Sequence, residues 1–222
     1  ISMDISHPDI EEFIDVKTDL NKVTKANISV RISDEFMHAV KNKEKYTCRF
    51  FLESTKEEII KEVDAHKLFM KLVENNWNYA EPGILFWDNI KKYHLLSEDK
   101  DFKHDGVNPC AEEPLPAGGS CLLGSINLSE FVVEPFTKEA IFDMEKFNAC
   151  VQDCILGLNE VLDEGLSLHP LKQQQESVSK YRQIGLGVMG IADMLIKLNM
   201  RYGSSESIEL CDKISKHMLN SA

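Results

Sequence analysis

The central stretch of the chain reads Asn108-Pro109-Cys110-Ala111-Glu112, and a second cysteine follows in Gly118-Gly119-Ser120-Cys121-Leu122-Leu123-Gly124-Ser125-Ile126-Asn127-Leu128. The first part places an amide, a thiol and a carboxylate on alternate positions. Alternate side chains of an extended chain point the same way, so we expect Asn108, Cys110 and Glu112 to face one small polar substrate. Pro109 lacks an amide proton and has a fixed φ, which suits a rigid loop. The stretch therefore predicts a reactive loop tip.

Strand and helix patterns alternate on both sides of this loop. Before it, the sequence predicts a strand at 1–6, a helix at 8–16, a strand at 28–32, a helix capped by Ser33 and a buried parallel strand at 84–87. After it, the sequence predicts a strand at 120–128 and helices at 144–162, 191–198 and 206–219. Strands that alternate with helices imply an α/β sheet with right-handed crossovers.

Two further segments carry specific predictions. Ser54-Thr55-Lys56-Glu57 has the pattern of a capping box, and apolar residues then recur at helical spacing as far as Trp77, which predicts one long helix with His66 as a core residue on its apolar face. The segment 97–116 is polar and contains prolines, and its apolar residues follow neither the spacing of a helix nor that of a strand. A long irregular connection inside a compact domain is usually functional, and this one contains the Cys110 stretch.

Composition limits the possible classes of protein. The chain has 222 residues, 43% of them hydrophobic, which is enough to bury a substantial core in one domain or part of one. A net charge of −12 without a basic stripe argues against binding to a nucleic-acid backbone. The apolar runs are too short to span a membrane, so a cytoplasmic location is expected. The chain begins without Met and stops inside a predicted helix, and we expect it to be a piece of a larger enzyme.

The other cysteines and the glycines have simpler interpretations. Cys150 and Cys154 are four apart on a predicted amphipathic helix, which favours core packing over a zinc pair. Gly185, Gly187 and Gly190 match the Gly-x-Gly-x-x-Gly pattern of dinucleotide-binding loops. No acidic residue follows at the end of a second strand about twenty positions later, so we expect close strand-to-helix packing here.

The loop stretch resembles the active-site loop of the large, catalytic subunit of ribonucleotide reductases, which reads Asn-x-Cys-x-Glu. The spacing between Cys110 and Cys121 is most similar to that in the adenosylcobalamin-dependent class II members. Other segments resemble the same family in chain order: His7-Pro8-Asp9-Ile10-Glu11-Glu12-Phe13-Ile14, Lys25-Ala26-Asn27-Ile28-Ser29-Val30, Ala80-Glu81-Pro82-Gly83-Ile84-Leu85-Phe86 and Arg182-Gln183-Ile184-Gly185-Leu186-Gly187-Val188-Met189-Gly190.

The resemblance implies an α/β fold, part of a ten-stranded barrel of two halves. Residues 1–96 would end the first half-barrel, 97–117 would form the finger loop and 118–222 would begin the second half. By resemblance, Cys110 becomes the thiyl radical that takes the 3′ hydrogen of the substrate, Glu112 is the general base and Asn108 orients the ribose hydroxyls. Cys121 matches one member of the reducing dithiol. Its partner and the phosphate-binding loop are expected outside residues 1–222.

The resemblance also implies cofactors and partners. The expected activity is that of an oxidoreductase, a ribonucleoside-diphosphate reductase that makes deoxyribonucleotides for DNA replication, and the isolated piece is expected to be inactive. The expected cofactor is adenosylcobalamin, with an external dithiol such as thioredoxin as reductant; no metal site is expected in this chain. The substrate would be a ribonucleoside diphosphate or triphosphate, with nucleotide effectors and a homodimer in the full enzyme. The alternative within the family is a class I, metal-radical-dependent large subunit.

Two hypotheses lie outside the family. In one, Cys110 is a nucleophile activated by a histidine, with His104 the nearest in sequence. In the other, the piece is an assembly module whose thiols are inert. Preferential alkylation of Cys110 at neutral pH would favour the nucleophile, because a radical cysteine needs no lowered pKa.

Overall fold

Parallel strand pairs organise both units into which the chain divides. The structure, a computed structural model, describes residues 1–92, 94–96 and 98–222. The first unit is Ile1–Ala117 and the second is Gly118–Ala222. Among the described residues, no helix has the length and apolar character needed to cross a membrane.

The first unit is built on a three-stranded parallel sheet. Its elements are β1 (Ser2–Asp4), α1 (Ile10–Asp15), β2 (Ser29–Ile32), α2 (Asp34–Asn42), β3 (Lys45–Leu52), β4 (Glu57–Asp64), α3 (Ala65–Tyr79), β5 (Gly83–Phe86), α4 (Trp87–Lys92), β6 (His104–Val107) and β7 (Pro114–Pro116). Strand β2 lies in the middle and pairs in parallel with β1 and β5. The predicted strands at 1–6, 28–32 and 84–87 are therefore confirmed as parallel strands, although Phe86 of β5 is half exposed and Trp87 already belongs to α4. For residues 88–95 the sequence predicts a short helix or turn, which corresponds to α4, although Tyr93 lies outside the described residues.

Strand β2 separates the hydrophobic core from a polar face. Val30 and Ile32 are fully buried and pack with Phe36 of α2 and Leu72 of α3. The alternate residues, among them Arg31, are only half-buried because they point to the opposite face of the sheet. The predicted cap of α2 is confirmed, since the Ser33 side chain accepts a hydrogen bond from the Phe36 amide at 3.1 Å.

The predicted long helix from Ser54 to Trp77 is wrong in its first part. Residues 57–64 form β4, which pairs antiparallel with β3, and Lys56 closes the turn between the two strands with a φ of 59°. Helix α3 begins only after Asp64, whose carboxylate accepts from the Lys67 amide at 2.9 Å. Trp77, which the helical pattern placed on the apolar face, is 88% exposed.

The second unit contains a parallel pair with helices in the connection. Its elements are β8 (Leu122–Asn127), β9 (Val132–Val133), β10 (Ile141–Phe142), α5 (Met144–Gly165), α6 (Lys172–Tyr181), β11 (Ile184–Met189), α7 (Ile191–Lys197) and α8 (Ser205–Ser221). Strands β8 and β11 pair in parallel over their whole length. The predicted strand at 120–128 and the helices at 144–162, 191–198 and 206–219 are confirmed. Cys150 and Cys154 are half-buried against this unit's core, with their sulfurs 4.0 Å apart.

The glycine pattern serves packing in the second unit. Gly185 and Gly187 lie within β11, whereas the phosphate-binding pattern requires them in a loop. Gly190 has a φ of 74°, and a Cβ atom at this position would overlap Oδ1 of Asn127 at the end of β8. The packing interpretation is therefore confirmed at Gly190.

Candidate active site

The stretch around Cys110 is the tip of a β-hairpin. Strands β6 and β7 pair antiparallel, and residues 108–113, which we call the tip loop, connect them. The Asn108 amide donates to the Glu113 carbonyl at 3.1 Å, and the Ala111 amide donates to the Asn108 carbonyl at 2.9 Å. Ala111 has a φ of 63°. The tip loop is therefore a tight turn.

This geometry corrects two predictions. The segment 97–116 contains β6 and β7, so it is not irregular throughout; Ser97 lies outside the described residues. The tip loop also is not extended, so alternate spacing does not place its three candidate side chains on one face. They are close in space because they share one turn of six residues.

The candidate side chains differ in exposure. Cys110 and Glu112 are exposed at the tip, whereas Asn108 is half-buried. Oδ1 of Asn108 is buried and has no hydrogen-bond partner within the described part of the chain. A buried acceptor without a donor costs free energy, so this oxygen is suited to accept a hydrogen bond from a ligand or from water.

Cys110 lines a cleft of about 360 Å³ at the edge of the sheet where β2 and β5 begin. Parallel neighbours begin at the same edge, so the residues that precede them converge there. Residues of the cleft that carry polar side chains are Asn27, Ser29, Glu81 and Cys110. The Cys110 thiol therefore lies beside a polar cleft.

Two polar groups of the cleft are held by defined contacts. The Asn27 side-chain amide donates to the Pro109 carbonyl in the tip loop at 3.2 Å. Glu81 accepts from the Ile28 amide at 3.2 Å and forms an ion pair with Lys17. The sequence alone does not indicate that Asn27 or Glu81 belongs to the site. Both residues lie just before strands that were predicted to be parallel. Because parallel neighbours begin at the same edge of a sheet, the sequence could have indicated that these two residues lie close together.

His104 is placed inside an aromatic cluster. Its ring contacts those of Trp87, His94 and Phe102, with the two imidazole centroids 4.2 Å apart. Burial lowers the pKa of His104, and His94 and Lys91 lower it further. Neither ring nitrogen has a hydrogen-bond partner among the residues that the structure describes. This arrangement weakens the hypothesis that His104 activates Cys110, because a base must contact the thiol it deprotonates.

Cys121 lies in the second unit, immediately before β8. The residue is half-buried, and its sulfur is 3.5 Å from the Leu122 carbonyl oxygen. The structure thus brings Asn108, Cys110 and Glu112 together on the hairpin, and it places Cys121 at the start of a strand. The assignment of chemical roles to these four residues remains a prediction.

The fold and the site together place the chain in a class of α/β proteins that carry a cysteine on a hairpin tip beside a parallel sheet. The model of the family described as ribonucleotide reductase, barrel domain, matches residues 1–222. The chain belongs to this family, as its resemblance predicted.

Individual relatives support the assignment. A vitamin B12-dependent ribonucleoside-diphosphate reductase of Thermoplasma acidophilum is 34% identical over 213 residues, which are 96% of this chain and 26% of the relative. A vitamin B12-dependent ribonucleotide reductase of Streptomyces clavuligerus is 30% identical over 241 residues, 98% of this chain and 24% of the relative. The chain thus spans about a quarter of the length of these relatives.

A solved structure supports the fold. The class Id ribonucleotide reductase alpha subunit of Actinobacillus ureae matches with a TM-score of 0.73 over 99% of this chain and 38% of that chain. At 20% identity this likeness concerns the fold alone. It confirms the predicted α/β fold of a ribonucleotide reductase barrel.

Proposed function

We propose that the chain is the central part of the catalytic barrel of an adenosylcobalamin-dependent, class II ribonucleotide reductase. The observation that carries the proposal is the exposed Cys110 between Asn108 and Glu112, on a hairpin tip beside a polar cleft. Relatives named as vitamin B12-dependent reductases match nearly the whole chain. The isolated piece covers too little of them to be active by itself.

The proposed reaction replaces the 2′-hydroxyl of a ribonucleotide with hydrogen. The Cys110 thiyl radical takes the 3′ hydrogen atom, and Glu112 accepts the proton of the 3′-hydroxyl. The 2′-hydroxyl takes a proton from the reducing dithiol and leaves as water. Asn108 holds the ribose hydroxyls through Oδ1, which has no hydrogen-bond partner among the residues that the structure describes. After reduction at C2′, Cys110 returns the hydrogen atom to C3′ and is a thiyl radical again.

The two electrons for this reduction would come from a dithiol. Cys121 is the proposed member of the pair within this chain, and it closes to a disulfide with a second cysteine of the full enzyme in each turnover. A thioredoxin-type protein would then reduce that disulfide. The half-buried position of Cys121 at the start of β8 is compatible with a thiol that reacts and is later re-reduced.

The exposure of Cys110 is compatible with a bulky cofactor, since a thiol at a hairpin tip can be approached from outside the sheet. When bound, adenosylcobalamin would supply the radical that removes the hydrogen atom from this thiol. We assign no residue of this chain to the cofactor.

The proposed layout and partners follow from the same resemblance. Residues 1–96 would end the first half-barrel, 97–117 form the finger loop and 118–222 begin the second half. We propose a ribonucleoside diphosphate or triphosphate as substrate, nucleotide effectors, a homodimer and a cytoplasmic location for the full enzyme.

The test is an assay of the full-length protein with a ribonucleotide and a dithiol, with and without adenosylcobalamin. We expect deoxyribonucleotide only with the cofactor. Product that instead requires a metal-radical partner protein would favour a class I subunit. No product under any of these conditions would contradict the reductase assignment.

The same assay tests the site residues. Cys110→Ser should abolish product formation, because an O–H bond is too strong to serve as the hydrogen donor and acceptor at C3′. Glu112→Gln should lower kcat by about 10²- to 10⁴-fold, since general acid–base catalysis contributes this much. Cys211→Ser, which changes a half-buried thiol of α8, is the matched control and should keep full activity.

A further inference from the structure

The β6–β7 hairpin that carries Cys110 is held at two points by side chains of strand β2 and of the residues just before it. At one point, the Asn27 side chain donates to the Pro109 carbonyl at 3.2 Å. At the other, Nη1 of Arg31 donates to the Asp105 carbonyl at 3.0 Å. In both bonds the donor is a side chain in or just before β2, and the acceptor is a backbone carbonyl of the hairpin. The bonds therefore require the hairpin backbone in one position, whatever side chains the hairpin carries.

The two contacts match in spacing. Asn27 and Arg31 are four residues apart, and so are Asp105 and Pro109, which run in the opposite direction. Four residues of extended chain span roughly 13 Å, so the contacts are well separated. One contact alone would let the hairpin pivot, whereas two separated contacts fix both its position and its tilt.

The hairpin is shaped to receive the Arg31 contact. The β6–β7 register shifts between His104 and Gly106, so Asp105 is the extra residue of a bulge. A bulged residue is left out of the strand ladder, which frees its carbonyl oxygen for another donor. Arg31 supplies that donor.

The Arg31 side chain is itself held in place. Its guanidinium lies over the Trp87 ring, 5.1 Å from the ring centroid, and Trp87 contacts His104 at the base of the hairpin. Stacking on an aromatic face restricts the guanidinium to one orientation. The opposite faces of β2 thus have different roles: Val30 and Ile32 anchor the strand in the core, while Asn27 and Arg31 hold the hairpin.

We propose that Asn27 and Arg31, which we call the anchor pair, are positioning residues that set the location of Cys110 over the cleft. The inference rests on the proposed function for its effect on catalysis, but the anchoring itself is independent of it. Neither residue is expected to contact the reacting atoms. Misplacement of a reactive group by about 1 Å can cost roughly 10²-fold in rate, so two hydrogen bonds to the hairpin backbone are sufficient to matter.

The test uses the full-length protein and three variants. Asn27→Asp keeps the side-chain size but replaces the donor with a second acceptor opposite the Pro109 carbonyl. Arg31→Met removes the donors and keeps most of the apolar stem, and Arg31→Lys restores one donor. Asn199→Asp is the matched control, because Asn199 makes the same kind of bond, to the Thr137 carbonyl at 3.0 Å, in the second unit.

Two readouts separate anchoring from catalysis. Hydrogen exchange of residues 106–113 should become about 10-fold faster in Asn27→Asp and Arg31→Met, because the loop opens more often. In the same variants kcat should fall by about 10- to 100-fold with KM within about 2-fold. Arg31→Lys should recover part of both effects, and the control should change neither.

The outcomes are distinct. Unchanged exchange in both variants would overturn the anchoring, whatever happens to activity. Faster exchange with unchanged kcat would overturn the positioning role. Faster exchange in the variants of a protein that shows no reductase activity would support the anchoring and contradict the proposed function.

Discussion

Gly190 and Gly203 both have a positive φ, 74° and 79°, but their surroundings differ. A Cβ atom at Gly203 would meet nothing within 4 Å, whereas at Gly190 it would overlap the Asn127 side chain. We predict that Gly203→Ala lowers the free energy of unfolding by about 1–2 kcal/mol, the cost of the left-handed backbone alone. Gly190→Ala should cost about 1–3 kcal/mol more because of the overlap. Urea unfolding of the two variants measures the difference.

A third glycine provides the control. Gly157 lies within α5, and a Cβ atom at this position would meet no atom within 4 Å. Gly157→Ala should therefore raise the free energy of unfolding by about 0.5–1 kcal/mol. Equal losses for Gly190→Ala and Gly203→Ala would show that Asn127 moves aside and that close packing does not explain the glycine.

At the residue scale the sequence identified the candidate chemistry but not its arrangement. Asn108, Cys110 and Glu112 were recognisable because their types and spacing match one family. The turn at Ala111 was not predictable, since alanine has no preference for a positive φ. Asn27 and Glu81 were missed because their roles arise only when β2 and β5 pair side by side.

At the scale of single elements, the start of α3 distinguishes the structure from the sequence pattern. The structure places the cap at Asp64, whereas the pattern placed it at Ser54. Asp64→Ala should lower Tm by about 3–8 °C, because it leaves the Lys67 amide without its acceptor. Ser54→Ala should change Tm by less than about 1 °C. Thermal unfolding followed by circular dichroism tests both predictions. A larger effect at Ser54 than at Asp64 would contradict the hairpin formed by β3 and β4.

The helix prediction failed for a physical reason. Ile59, Ile60 and Val63 fit a helical spacing, but all three are β-branched and favour strands. In the structure, pairing with β3 decides the outcome, with Phe50 opposite Ile59. Elements whose pattern and propensity agree, such as β2, α2 and α5, were predicted correctly. Long-range pairing is not visible in a local window, so conflicting segments are the ones that local patterns misassign.

At the scale of the whole molecule, the aromatic cluster beside the hairpin predicts a pH dependence. Burial lowers the pKa of both His94 and His104. The unfolded chain therefore binds more protons than the folded one between the lowered values and about 6.5, and stability rises with pH in this window. Protonation of His94 would also remove the acceptor at Nδ1 that binds the Leu96 amide at 3.0 Å. We expect the free energy of unfolding to fall as the pH drops below about 6.5.

The variant His104→Phe isolates this effect. It keeps an aromatic ring in the cluster and removes one titrating group, so the loss of stability between pH 7.5 and pH 5.5 should become smaller than in the wild type. Urea unfolding at the two pH values gives both differences. An identical loss in the variant would show that the histidine cluster does not control acid sensitivity.

The whole-molecule architecture was predictable only in outline. Alternating strands and helices indicated parallel pairing, which β1, β2 and β5 confirm, as do β8 and β11. The family was recognisable from motifs spread along the chain, and the match over residues 1–222 confirms it. The division after Ala117 falls in a short stretch that is rich in proline and glycine, Pro114-Leu115-Pro116-Ala117-Gly118-Gly119.

The in-register pairing of β8 with β11 has a consequence for how the second unit reaches its folded state. The two strands are joined through α5 and α6, so a long loop must close before any of their hydrogen bonds can form. Helices form within microseconds, whereas contacts between segments that are distant in sequence form more slowly. Helix α5 should therefore assemble early and offer Phe147 and Val151 as the surface on which the strands meet. Nascent chains released before β11 has been synthesised would expose that surface and depend on chaperones.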